Sequence, residues 1–138
     1  MNEDYKTAAN RHCKDGELLH TNCRYDNAVY HFGFAVECGL KHLLQVNNKD
    51  VPQNHDLKTF LENCMLEPAL ALRLNQSNLP PRLCYGHPER RYWPDNFFKQ
   101  ADSQLLKAYT QFVLKQVRDY QLNTLSKKKS EGNINGTD

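Results

Sequence analysis

Much of what would mark a secreted, metal-scaffolded or membrane protein is missing from this chain. Its five cysteines, at 13, 23, 38, 64 and 84, are odd in number and widely spread, with no CxxC pair and no His-x-x-x-His spacing beside them. That excludes a disulfide framework and a zinc finger, and leaves free thiols, no metal and no other cofactor as the expectation. No apolar run nears the length of a membrane span, and the opening MNEDYKTAANRH has neither a basic start nor a hydrophobic region. Neither an anchor nor a signal peptide is therefore expected, and a cytoplasmic location is the default. Charge of one sign is also lacking: 18 Lys and Arg face 16 Asp and Glu. This permits phosphate binding but falls short of a nucleic-acid coat protein. Convincing period-two alternation is absent too, so no sheet is predicted.

What remains is the composition of one globular domain, 138 residues with 39% apolar and 25% charged, large enough to bury a core. Tyr5, Ala8, Ala9, His12, Gly16 and Leu19 recur at helical spacing and predict a first helix over 4–21. The best-defined helix runs from Arg24 to about Val46, with Val29, Phe32, Val36, Leu40 and Leu43 as its apolar stripe. After the polar loop NNKDVPQN, Asp56 is placed to cap a short helix carrying Leu57, Phe60, Leu61 and Cys64. Pro68, Pro80, Pro81, Gly86, Pro88 and Pro94 make 65–95 a long connection with room for a helical turn or two after Pro68. Phe98, Ala101, Leu105, Ala108, Phe112 and Val113 then predict a last helix from Asp95 to roughly Leu125. The fold expectation is all-α, an up-down bundle of four or five helices with a long proline-containing connection before the last. The domain is expected to span 1–125, followed by a polar, disordered tail over 126–138.

Arg24 and His31 stand seven residues apart in the second helix, close to two turns, so they share one face. A guanidinium that clamps phosphate and an imidazole that moves protons near neutral pH are the groups a metal-free ribonuclease needs. Ala28, Ala35 and Cys38 continue that face with small side chains, leaving room for a second helix or a phosphate. Asn27, one turn before His31, and Asp26 are supporting candidates. Elsewhere, Glu37 and Lys41 read as a helix-surface ion pair, and His55 with Asp56 as the start of a helix. Arg90 and Arg91 beside Tyr92 and Trp93 combine cations with stacking surfaces suited to single-stranded RNA, while the aromatics also suit an anchor closing the bundle. Taken alone, an arginine and a histidine at this spacing are more often structural than catalytic.

The string NAVYHFGFAVECGLKHLL, followed by HDL at 55–57 and RRYW at 90–93, resembles the HEPN superfamily. Many members are metal-independent endoribonucleases marked by an arginine, four to six intervening residues and a histidine, and Arg24 with His31 encloses six. The resemblance implies cleavage by the RNA's own 2′-hydroxyl, with His31 at the proton step and Arg24 on the developing charge. It further implies a homodimer that brings two such pairs to one cleft, since one histidine cannot easily be acid and base at once. The implied setting is a toxin or antiviral defence effector, with an antitoxin, often a small nucleotidyltransferase, or another defence-complex protein as companion. The alternative is a catalytically silent bundle that binds a protein or nucleotide, with the small-residue stripe as its interface.

Overall fold

The computed structural model describes the backbone of residues 3–74, 79–84 and 87–135, and their side chains apart from those of 82, 91 and 121–135. Among the described residues the fold is all-α, a helical bundle without strands. The elements are α1 (Tyr5–Thr21), α2 (Tyr25–Val46), α3 (Leu57–Met65), α4 (Pro68–Leu74), α5 (Pro81–Cys84), a 3₁₀ turn at Glu89–Tyr92, and α6 (Gln100–Asn135). No helix among these residues is long and apolar enough to cross a membrane.

Local chemistry sets the ends of these elements. Asp4 caps α1 by accepting from the Thr7 amide at 3.0 Å and its hydroxyl at 2.7 Å, and Asp56 caps α3 through the Lys58 and Thr59 amides, as expected. Helix α2 ends in a Schellman turn, with Asn48 at φ 57°, the Asn48 amide returned to the Gln45 carbonyl and the Lys49 amide to the Leu44 carbonyl.

Helix α2 is the spine. Val29, Phe32, Val36, Leu40, Leu43 and Leu44 are buried, and they meet Leu57 and Phe60 of α3, Leu70 and Leu74 of α4, and Leu106, Val113 and Val117 of α6. Helix α1 presents a different, small-residue face, Ala9, Cys13 and Gly16. A Cβ on Gly16 would lie 2.6 Å from the Phe32 ring, so glycine is what lets α1 lie so close to α2. Contacts climb together along α2 and α6, from Asp26 with Phe98 through Gly39 with Val113 to Asn47 with Tyr120. The two helices therefore run in the same direction, and the long connection is the return that makes this possible.

The last helix begins at Gln100 rather than at Asp95. Asn96 adopts φ 66°, a left-handed conformation no helix interior accepts. The Asn96 and Phe98 amides are taken by Asp26, and Asp102 reaches back to the Lys99 amide at 3.0 Å. Helical backbone also runs on through Asn135, past the boundary expected near Leu125. Nothing between Leu125 and Gly132 breaks a helix, and Lys and Glu favour one. Residues 136–138 of the expected tail lie outside the described residues.

Candidate active site

Arg24 is fixed by the turn between α1 and α2. Helix α1 closes with Cys23 at φ 61° and with the Cys23 and Arg24 amides bonded to His20 and Leu19 carbonyls at 3.0 and 2.8 Å, a second Schellman turn. Arg24 is at once the last residue of that motif and the N-cap of α2, where its side chain makes no capping bond. Its exposed side chain lines a cleft of about 350 Å³ with Asn22, Asn27, Asp95, Asn96 and Phe98. Asn27 faces this cleft, which His31 does not line. His31 lies seven residues on, ~10 Å along the helix axis.

Asp26 has a structural task. Its carboxylate accepts the Asn96 amide at 2.6 Å and the Phe98 amide at 2.8 Å, tying the lead-in of α6 to the first turn of α2. It builds the wall of the Arg24 cleft.

His31 meets a partner from α1: its Nδ1 is 3.1 Å from Nδ1 of His12. Both side chains are partly exposed. Tyr30 sets its ring edge-on to His31, and Phe34 lies beside His12. Burial holds His31 below the ordinary histidine value against the pull of Asp15. Burial does the same for His12, helped by the charges of His31 and Arg11. Burial thus favours the neutral form of both rings, the form a general base requires. Sequence spacing could not reveal this pair, because its members sit on different helices.

The small-residue stripe on α2 is already occupied. Ala28 and Ala35 are fully buried, and Ala35 with Cys38 packs on Ala9 and Cys13. The second helix it admits is the chain's own α1, so the stripe is not a free interface for a partner.

A second polar cluster lies further along α2. Glu37 is 3% exposed and receives Lys41 Nζ at 3.0 Å, His55 Nδ1 at 3.0 Å and His87 Nε2 at 2.9 Å. The pair with Lys41 is therefore a buried hub rather than a surface pair. Burial alone would push the Glu37 carboxyl up, but its bonds from His87, Lys41 and His55 together hold it below the usual range. One donor atom from each of Glu37, His55 and His87 lies within 4.8 Å of the others, the kind of set a divalent ion uses. Two features wire it for hydrogen bonding instead. Lys41 occupies one carboxylate oxygen, and Arg90 Nη2 lies 3.4 Å from His87 Nδ1. A guanidinium only donates, so His87 accepts at Nδ1 and carries its proton on Nε2, toward Glu37.

Arg90 belongs to this interior cluster and is not placed to contact RNA. It is 5% exposed, donates to the carbonyls of Leu83 at 2.7 Å and Val29 at 3.2 Å, and packs over Phe98. Burial pulls its pKa down to about 10. Gly33 makes room for it, since a Cβ there would overlap Arg90 Nη2 and sit 2.9 Å from His87 Nδ1. The side chain of Arg91 lies outside the described residues. Trp93 packs against the core and Phe98, whereas Tyr92 is 76% exposed.

The bundle, its antiparallel α1–α2 hairpin and the polar residues lodged along α2 define a small all-α domain of one recognisable kind. The HEPN domain model matches residues 2–78, more than half of the chain, and the protein belongs to the HEPN family. The matched region runs from α1 through α4 and contains Arg24, His31, His12, Glu37 and His55, while His87 and Arg90 come from beyond it. No curated protein and no solved structure matches the chain.

Proposed function

We propose that this HEPN protein is a metal-independent endoribonuclease in which His31 moves the proton and Arg24 binds phosphate, working as a homodimer in a prokaryotic toxin or defence setting. The observation that carries the reading is the pairing of His31 with His12 at 3.1 Å, which sets a partly exposed imidazole on the same helix as an exposed arginine. Removal of a proton from a 2′-hydroxyl needs that imidazole, and the phosphorane's extra charge needs a cation near it. The ~10 Å between the two groups along α2 suits Arg24 to a flanking phosphate or to a second protomer's site. A companion protein, such as a nucleotidyltransferase antitoxin, would act by covering this face.

The direct test compares RNA and DNA of one sequence, incubated in EDTA with wild type and with Arg24→Ala and His31→Ala proteins whose folding has been checked. RNA alone is expected to be cut, and each variant to lose on the order of 10²-fold or more in rate. Equal cutting of DNA, or unchanged rates in both variants, refutes the assignment. The Arg24 cleft of about 350 Å³, polar and held open by Asp26, favours nucleotide binding as the second reading. A nucleotide that binds wild type but not Arg24→Ala, with no cleavage of RNA, would establish it.

A further inference from the structure

Tyr30 and Phe34 stand one turn apart on α2, off the stripe of Val29, Phe32 and Val36 that faces the core. Both are partly exposed, and neither is among the residues that build or pack against the two apolar clusters of the bundle. Their neighbours are other rings. Centroid to centroid, Phe34 lies 5.1 Å from Tyr30, 5.6 Å from His12, 5.8 Å from His55 and 4.7 Å from His87. All four are inclined to it, by 34° to 65°, so no ring among the described residues lies flat on Phe34. The parallel, offset contact that a planar guest would make is not filled from within the chain.

The patch is continuous with the candidate active site, because Tyr30 sets its ring edge-on to His31 at 5.4 Å. It is also held in place from below. The side chain of His87 is buried and bonded to Glu37 at 2.9 Å, and the same carboxylate fixes the half-exposed His55 ring at 3.0 Å. The chemistry of the patch names its guest. Aromatic faces accept the π-face of any base. The imidazoles around them offer polar edges, which an aliphatic partner would leave desolvated and unpaired. Arg11 is exposed on α1, and its charge is felt by both His12 and Cys38, which places a cation at the border for a phosphate. A flat guest with polar edges and an anionic group is a nucleotide.

We propose that Tyr30 and Phe34, flanked by His12 and His55, form a stacking platform for one unpaired base of single-stranded RNA, held beside His31 with its phosphate toward Arg11. This rests on the ribonuclease reading above and names the substrate class of that site. A base inside a duplex has both faces covered by its neighbours and cannot reach the platform, whereas a base in a single strand or loop can be splayed onto it. Stacking tolerates any base, so the platform selects for unpaired RNA rather than for a sequence.

The experiment measures binding apart from cleavage, using a labelled 2′-O-methyl oligoribonucleotide that has no free 2′-hydroxyl and cannot be cut. Fluorescence anisotropy compares the single strand with the same strand annealed to its complement, on wild type, Phe34→Leu, Tyr30→Leu and Tyr30→Phe proteins whose helix content has been checked. Leucine keeps apolar bulk and removes the ring face, while phenylalanine keeps the face. The single strand should bind more tightly than the duplex, each leucine variant should weaken it by about 5- to 100-fold, and Tyr30→Phe should stay close to wild type. The Phe34 ring protons should shift upfield when the strand is added. A duplex bound as tightly as the single strand, or a wild-type affinity in Phe34→Leu, overturns the platform and leaves the ribonuclease reading to its own cleavage test. Failure to bind either probe, with a wild-type dimer that Phe34→Leu dissolves, assigns the patch to a second copy and overturns the platform too. A stacked single strand on a protein that cuts no unmodified RNA upholds the platform and overturns the ribonuclease reading.

Discussion

Gly33→Ala should be the most damaging single-methyl change on α2. The added Cβ would overlap Arg90 Nη2 and come within 3.3 Å of Arg90 Cζ, so the guanidinium has to leave its position. That position carries its bonds to the Val29 and Leu83 carbonyls, and a buried cation cannot replace them with water. Bonds to a charged donor contribute about 1.5–3 kcal/mol each, so the loss of both costs on the order of 3–6 kcal/mol. Alanine returns about 1 kcal/mol of helix propensity, leaving a net destabilisation of about 2–5 kcal/mol. Urea unfolding followed by far-UV circular dichroism measures this directly. Gly39→Ala is the control, because its Cβ would meet a single methyl of Val113 at 3.1 Å and the same propensity gain should leave it within about 1 kcal/mol of wild type. In an Arg90→Ala background the Gly33→Ala penalty should shrink to what the 2.9 Å approach to His87 Nδ1 leaves. A Gly33→Ala protein as stable as wild type, or an unchanged penalty without Arg90, would refute the reasoning.

Other consequences follow from the same contacts. Asp26→Ala leaves the Asn96 and Phe98 amides without their carboxylate and should cost about 1–3 kcal/mol in the same unfolding assay; an unchanged midpoint would show that the lead-in of α6 holds itself. Cys23→Gly removes the Cβ cost of φ 61° and should raise stability by up to about 1 kcal/mol, less the added freedom of the unfolded chain; a clear loss would mean that the Cys23 side chain contributes packing. Burial holds His12, His31, His42 and His87 below the ordinary value of 6.5, so the unfolded chain binds more protons there. Their contribution is complete above that value and lost as pH falls below it. Glu37, held below the ordinary 4.5, adds a second loss further down, and urea midpoints that stay level from neutral pH to the carboxylate range would contradict both.

Much of the fold was legible because it rests on local periodicity. The apolar stripe of α2 and the Asp56 cap need no knowledge of the rest of the chain. The start of α6 was not, because Pro94 and Asp95 look like a helix opening until Asp26, 70 residues away in sequence, takes the amides that follow. The candidate site divides in the same way. Arg24 and His31 stand out within one helix, whereas His12 joins His31 across 19 residues and His87 joins Glu37 across 50. Arg90 misleads for a related reason: a cation in an Arg-Arg-Tyr-Trp string resembles a surface contact, and only the gap above Gly33 shows that it is interior. The HEPN resemblance of the α2 string holds up, since the family match spans it.

The measurement that bears most directly on the central claim is the chemistry of the cut ends. End-labelled RNA of mixed sequence, incubated in EDTA with wild type and with folded His31→Ala, should yield 2′,3′-cyclic phosphates and 5′-hydroxyls from wild type and intact RNA from the variant. Fragments ending in 5′-phosphate, or equal cutting by His31→Ala, would contradict the assignment of His31 as the group that starts the reaction.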